Sequence, residues 1–181
     1  TVTTATEAKA TADQESTNIS MKVIFWASLL MMSINAMAQE RGYEVSEDKK
    51  NGRTVFSGLV TFQDLENEQS FAWMKNGRNE YMADKDAVRI LSNKLKEYSL
   101  IVFLGTWCGD SHELIPKLEK VLMMAGYPQQ LLTLYAVDRT KETKDGANKK
   151  FDITNVPTII VMKDGKEKGR ITETVQRSIE E

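Results

Sequence analysis

The segment 106–111, TWCGDS, contains Cys108, the one cysteine of the 181-residue sequence. A thiol can act as a nucleophile, because its deprotonated form attacks disulfides. Ser111 stands where one helical turn would bring a second group beside the sulfur. A hydroxyl does not attack sulfur in this way under ordinary conditions, so the chain cannot form an internal disulfide at this motif.

Neighbouring residues bear on the reactivity of Cys108. A helix that begins at the motif directs its free N–H groups and its macrodipole at the sulfur, and both favour the thiolate. Asp110 acts in the opposite direction through like-charge repulsion. His112 is the one histidine of the chain, and the sequence leaves open whether it reaches the site or points to solvent.

The composition is that of a globular protein, and it narrows the range of partners. Hydrophobic residues make up 41% of the chain and charged residues 28%, which is enough to close a core. A formal net charge of -2 gives no basic field for nucleic acid. One cysteine and one histidine are too few for a Cys/His metal site within a single chain. We expect no cofactor, no metal and no nucleic acid partner, and the oligomeric state stays open.

The first part of the sequence has the pattern of a leader followed by an export signal. Residues 1–20 are rich in threonine, alanine and small polar residues, and we predict that they are disordered. Residues 21–38 combine a basic start, an apolar middle and an A-x-A exit, the three parts of a signal peptide. The apolar run is shorter than the roughly 20 residues of a membrane-spanning helix. We therefore predict cleavage after Ala38, export to the periplasm or the exterior, and no stable membrane anchor; the alternative is a buried core helix.

The remaining chain is predicted to form one domain after a flexible segment over residues 39–53. The domain covers residues 54–181, with an N-terminal extension over 54–99 and a core over 100–181. Apolar runs and β-branched residues predict strands, and apolar positions at spacings of three and four predict helices. The strands are 54–62, 100–104, 131–137, 158–162 and 169–172, and the helices are 84–98, 109–126, 144–151 and one from Val175 onward. This order predicts an α/β fold in which helices flank a mixed sheet.

The motif and its surroundings carry a family resemblance. Residues 107–111, WCGDS, lie between a predicted buried strand and a helix, and they resemble the thioredoxin active site W-C-G-P-C. In this resemblance Cys108 takes the place of the nucleophilic cysteine and Ser111 that of the resolving one. Pro116 matches the helix-kinking proline of thioredoxins, and residues 155–158, NVPT, resemble the cis-proline segment. The resemblance covers residues from about 100 to 181.

The resemblance implies a thioredoxin-like fold and a set of site residues. It implies a cis bond between Val156 and Pro157, close to Cys108, and partners that are thiols or disulfides of proteins or small molecules. The catalytic positions would be Cys108 and Ser111, the substrate-binding positions Trp107, Gly109, Asp110, Val156 and Pro157, and the candidate modulator His112. The departures are the serine for the second cysteine, Asp110 for the motif proline, and Val102 where many thioredoxins have a buried acid.

Three functions remain open on the sequence, and with them the question of whether the protein is an enzyme. The first is monothiol disulfide exchange of an isomerase or reductase kind, acting on exported proteins or small thiols. The second is a redox-inactive binding or chaperone-like module on a thioredoxin fold. The third is a reaction with peroxide, which would oxidise the thiol to a sulfenic acid.

Overall fold

The computed structural model describes residues 42–181. The predicted leader over 1–20, the predicted signal peptide over 21–38 and its cleavage point lie outside the described residues. The strands are β1 Tyr43–Glu47, β2 Thr54–Val60, β3 Ser99–Leu104, β4 Leu132–Ala136, β5 Thr158–Lys163 and β6 Lys166–Thr172. The helices are α1 Phe62–Asn67, α2 Ala72–Glu80, α3 Lys85–Leu95, α4 Gly109–Met124 and α5 Ala147–Lys150.

The six strands form a mixed sheet, in the order β1-β2-β4-β3-β5-β6. Strands β3 and β4 pair in parallel, whereas the other neighbouring strands pair antiparallel. The predicted mixed sheet with flanking helices is therefore confirmed. The β5–β6 hairpin turns at Asp164 and Gly165, both of which have positive φ, as a tight turn between twisted strands requires.

Strand β3 lies at the centre of the sheet and contributes to the cores on both of its faces. Side chains alternate along a strand, so Val102 and Leu104 pack into one hydrophobic cluster and Phe103 into another. All three are fully buried, as expected for a strand covered by helices on both sides. The TWCGDS motif begins two residues after the end of this buried strand.

The extension forms more structure than the sequence predicts. Thr61 caps α1 through a capping box with Asp64, which defines the start of that helix. Helix α2 packs closely on α4. A Cβ added at Gly77 on α2 would lie 2.9 Å from Cβ of Pro116 on α4. The segment between 63 and 81, which the sequence leaves ambiguous, thus forms most of α1 and all of α2, and α2 packs on the helix that begins after Cys108. Helix α3 begins after Asp84, whose side chain accepts hydrogen bonds from the N–H groups of Asp86 and Ala87 in the first turn.

Two expectations need correction. Part of the segment 39–53, predicted to be flexible, forms strand β1, which pairs with β2 in the sheet. The helix predicted from Val175 onward is absent, and the chain from Glu173 to the end of the described residues is irregular. The carboxylate of Glu180 accepts hydrogen bonds from the hydroxyl of Tyr81 and the N–H of Asp84, both at 2.7 Å. These long-range bonds hold the terminal segment in an extended path across the α2–α3 junction.

Within residues 42–181, none of the helices combines the length and the apolar character needed to cross a membrane.

Candidate active site

Cys108 is the N-cap residue of α4, and its thiol is half-buried at the start of that helix. Sγ donates a hydrogen bond to the carbonyl oxygen of Val156 at a distance of 3.2 Å. The bond between Val156 and Pro157 is cis, as predicted. The structure therefore brings together the cysteine and the proline segment, which are 48 residues apart in sequence.

Trp107 is fixed beside the thiol by a hydrogen bond and by close packing. Its Nε1–H donates to the carbonyl oxygen of Val137 at 2.8 Å, at the end of β4. A Cβ added at Gly105 would lie 2.8 Å from Cε2 of the indole, so this position has no room for a larger residue. The indole consequently has one available position against the end of the sheet.

Ser111 lies one helical turn after Cys108 on α4 and is fully buried. Its hydroxyl oxygen accepts a hydrogen bond from the N–H of Gly105 at 3.1 Å. This contact satisfies a backbone donor that would otherwise be buried without a partner. The residue at the resolving position thus has a structural contact of its own.

Gly109 and Asp110 form the exposed first turn of α4. A Cβ added at Gly109 would meet no atom within 4 Å, so the surface beside the thiol is open there. The carboxylate of Asp110 lies at the positive end of the helix dipole, where a negative charge is favourable.

His112 packs within the protein. Its ring stacks on that of Trp73, with centroids 4.3 Å apart and an interplanar angle of 17°. Nε2 lies 2.8 Å from the carbonyl oxygen of Thr106, and a carbonyl oxygen can only accept, so Nε2 carries the proton. The half-buried imidazole therefore links α2 of the extension to the TWCGDS motif and does not simply point to solvent. Its contacts are with Thr106 and Trp73, and its role as a modulator of Cys108 stays a prediction.

Thr106 connects the motif to strand β2. Its hydroxyl oxygen accepts from the N–H of Phe56 at 3.2 Å and lies 3.4 Å from the carbonyl oxygen of Thr54. The extension thus contacts the motif from two directions, through β2 here and through Trp73 on α2.

Arg139 and Asp48 are components of the site that the sequence does not predict. The guanidinium Cζ of Arg139 lies 4.5 Å from the centroid of the Trp107 ring. Its Nε and Nη2 donate to the two carboxylate oxygens of Asp48, at 2.9 and 2.7 Å. The two residues are 91 positions apart, and no local pattern connects them. The one signal in the sequence is the position of Arg139, a charged residue that follows a predicted buried strand.

The Asp48–Arg139 pair is electrostatically strong. The Asp48 side chain is 1% exposed, and its hydrogen bonds with Arg139 lower its pKa from 3.8 to about 2 despite burial. The same hydrogen bonds raise the pKa of Arg139, and negative charge on Cys108 adds a smaller contribution in the same direction. The ring of Trp107, over which the guanidinium lies, belongs to the residue next to Cys108 in the chain.

Among residues 42–181, no group of three or more His, Cys, Asp or Glu side chains is placed to hold a metal ion. A half-buried thiol at a helix start, next to an open surface and a backbone carbonyl, is accessible to another sulfur compound.

Comparison with known proteins gives a family match and several more distant relatives. The thioredoxin family model matches residues 81–181. Protein disulfide-isomerase A4 of Rattus norvegicus is 28% identical over an alignment of 151 residues, and the match covers 77% of this chain and 22% of that protein. This chain thus spans only about a fifth of the length of that curated relative.

Two solved structures are similar at low identity. A Pseudomonas aeruginosa protein of unknown function is 17% identical, with a TM-score of 0.41, and the match covers 66% of this chain and 68% of that one. Mitochondrial thioredoxin 3 from Saccharomyces cerevisiae is 21% identical, with a TM-score of 0.33, and the match covers 54% of this chain and 89% of that one.

The family match extends over more than half of the chain. It includes the parallel β3–β4 pair, the helix that begins at Cys108 and the segment with the cis bond before Pro157. It begins ahead of the region in which the sequence motifs resemble thioredoxin. The chain belongs to the thioredoxin family.

Proposed function

We propose that the protein catalyses thiol–disulfide exchange with Cys108 as its single reacting thiol. The observation that carries this proposal is the contact of 3.2 Å between Sγ of Cys108 and the carbonyl oxygen of Val156. A main-chain carbonyl beside the thiol is an acceptor for an extended substrate backbone, which would bring a substrate disulfide next to the sulfur. Trp107 and the open surface at Gly109 would form the remaining walls of this substrate site.

The reaction begins when the Cys108 thiolate attacks one sulfur of the substrate disulfide. A bond forms between Sγ and that sulfur, and the other substrate sulfur leaves as a thiolate, so no external oxidant is consumed. The N–H groups at the start of α4 favour the attacking thiolate. The product of this step is a mixed disulfide between the protein and its substrate.

Because Ser111 has no thiol, the mixed disulfide has to be resolved by a thiolate of the substrate or by an external thiol. If the released substrate thiolate attacks another disulfide of the substrate, the thiolate freed there attacks the substrate sulfur of the mixed disulfide, which releases Cys108 and leaves the substrate isomerised without net oxidation or reduction. If a small external thiol attacks, the substrate is reduced at the expense of that thiol. The similarity to the rat relative, which is named as a protein disulfide-isomerase, supports the first of these routes.

The substrates we propose are exported proteins or small thiols, because residues 21–38 have the pattern of a signal peptide. N-terminal sequencing of protein from the periplasmic and secreted fractions tests this part. A sequence that begins at Gln39 supports export, whereas cytosolic protein that retains residues 21–38 contradicts it.

The activity is tested with a disulfide reporter and the variants Ser111→Cys and Cys108→Ser. With no added thiol, we expect the wild type to form one stable mixed disulfide per chain. Ser111→Cys places a thiol at the resolving position and should turn over in the presence of a regenerating thiol, with an internal disulfide as its oxidised form. Because a thiol accepts a hydrogen bond from Gly105 poorly, this variant should lose about 1 kcal/mol of stability.

Cys108→Ser is the control, and it should form no adduct while keeping its circular dichroism spectrum and unfolding midpoint. A wild-type Cys108 that resists small thiol reagents in the folded state, together with no gain from Ser111→Cys, would contradict the exchange function. That result would favour the redox-inactive binding module. Faster consumption of peroxide than of disulfide would favour the peroxide reaction.

A further inference from the structure

Resting on the exchange activity proposed above, we propose that Arg139 forms an anion-binding site beside Cys108 that selects disulfides with a carboxylate close to the bridge. The proposal assigns a substrate class to the site. It depends on three features of the Arg139 side chain: its fixed position, its free donors and its charge relative to the sulfur.

The guanidinium is fixed on two sides. One face lies over the indole of Trp107, with Cζ 4.5 Å from the ring centroid. One edge is bonded to the buried carboxylate of Asp48 through Nε and Nη2. A planar cation stacked on an aromatic ring and bonded along one edge loses little further conformational freedom when it binds an anion.

Donors remain available on the guanidinium. An arginine side chain carries five N–H donors, and Asp48 occupies one on Nε and one on Nη2. Among residues 42–181 the other donors have no further hydrogen-bond partner. The Arg139 side chain is 35% exposed, so its free edge is open to solvent. A carboxylate matches the geometry of such an edge.

The charge that this ion pair presents to a substrate is positive. Asp48 is 1% exposed and Arg139 35%, so the negative partner is inside and the positive one outside. The guanidinium lies over the ring of Trp107, which is the residue next to Cys108 in the chain. Negative charge on Cys108 also raises the pKa of Arg139, though less than Asp48 does. A disulfide that docks at the sulfur therefore brings its neighbouring substituents within range of a partly exposed cation.

The reacting thiol itself provides the assay. Dithiobis(nitrobenzoate) carries a carboxylate on each aromatic ring, meta to the disulfide sulfur, and dithiodipyridine is neutral. Each reacts with Cys108 to form a mixed disulfide and release one chromophoric thiolate or thione, so both rate constants are measured by absorbance. The ratio of the anionic to the neutral rate constant is the readout, because a general change in thiol reactivity affects both rates and cancels.

We expect Arg139→Gln to lower this ratio about five-fold, the size of effect that one partly exposed charge pair supplies. The loss should be largest at low salt and shrink as ionic strength rises. Because the single substitution leaves Asp48 buried without its partner, the double variant Asp48→Asn/Arg139→Gln is measured as well. It removes both charges and should show the same lowered ratio.

Arg170→Gln is the matched control. Arg170 is 31% exposed and forms a comparable two-point pair with Glu167, but the causes that raise its pKa are Glu167 and then Asp152, not Cys108. This variant removes the same charge from the protein and should leave the ratio within about 1.5-fold of wild type.

Two results would overturn the inference. If the thiol reacts but the ratio is equal in wild type, Arg139→Gln and the double variant, then Arg139 does not select anionic disulfides and only the exchange function stands. Equal slowing with both reporters falls under the same result and would assign Arg139 to the thiolate alone. If Cys108 reacts with neither reporter, the exchange function fails, and this inference fails with it.

Discussion

Replacing Glu119 by glutamine should remove a pH dependence from the stability of the protein. Glu119 lies on α4, and its side chain is 6% exposed. Arg78 on α2 pairs both with it, at 3.2 Å, and with Glu66 on α1. Burial raises the pKa of Glu119 to about 7, the like charge of Glu66 adds to this, and Arg78 opposes it only in part. Two buried carboxylates thus share one guanidinium.

The sign follows from comparing the two states. Glu119 has a pKa of about 7 in the folded protein and an ordinary value of 4.5 when the chain is unfolded. Between these values the folded protein binds more protons than the unfolded chain, so its free energy of unfolding falls as pH rises. The contribution is fully present below about pH 4.5 and is lost as pH passes through about 7.

The loss in the free energy of unfolding has an upper limit, which solvent screening reduces. The difference between 4.5 and about 7, at about 1.4 kcal/mol for each tenfold change in proton affinity, sets a ceiling of about 3 kcal/mol. The cluster lines a cavity of about 280 Å³ that also contacts Gln63 and Gln129. Water in this cavity screens the charges, so we expect about 1–2 kcal/mol in practice.

The assay is urea unfolding followed by tryptophan fluorescence at pH 5, 6, 7 and 8. The wild type should lose about 1–2 kcal/mol between pH 5 and pH 8, whereas Glu119→Gln should change by less than about 0.5 kcal/mol. Glu113→Gln is the control on the same helix, because that side chain is 73% exposed and pairs only with Lys117. Asp48, with a pKa of about 2, stays ionised throughout this range. Wild-type stability that is flat or rises with pH, or a Glu119→Gln variant that keeps the wild-type slope, would refute the reasoning.

Two further substitutions test the packing around the site. Gly77→Ala should destabilise the protein by about 1–3 kcal/mol in thermal or urea unfolding, because the new Cβ would lie 2.9 Å from Cβ of Pro116. Gly109→Ala is the control, and it should change stability by less than about 1 kcal/mol because no atom lies within 4 Å of its new Cβ. Equal losses of stability in the two variants would contradict the close contact between α2 and α4. Ser111→Ala should lower the free energy of unfolding by about 1–3 kcal/mol, because it leaves the buried N–H of Gly105 without its acceptor. The variant should still form the mixed disulfide at Cys108. A stability within about 0.3 kcal/mol of wild type would show that the hydrogen bond contributes little.

The parts of the fold that the sequence predicts are those fixed by local patterns. The run from Leu100 to Leu104 is apolar at every position, which is typical of a strand covered on both faces, and it forms β3. The features that the sequence does not predict depend on contacts between distant residues. The Asp48–Arg139 pair and the path of the chain at Glu180 each join segments more than 90 positions apart. Neither has a periodicity or a motif to indicate it, so the corresponding predictions were missing or wrong.

The region that matches the thioredoxin family is smaller than the folded unit, because the N-terminal extension contributes to the sheet and to the hydrophobic core. The family match begins at residue 81 and leaves out β1, β2, α1 and α2. Without β2, strand β4 would lose its antiparallel neighbour and become an open edge, a surface that promotes aggregation. The cluster containing Leu104 and Leu114 would also lose the buried side chains of Phe56, Leu65, Phe71 and Met74. Any transplantation of this thiol site into another protein, by recombination or by engineering, therefore has to move the chain from Tyr43 onward as one piece.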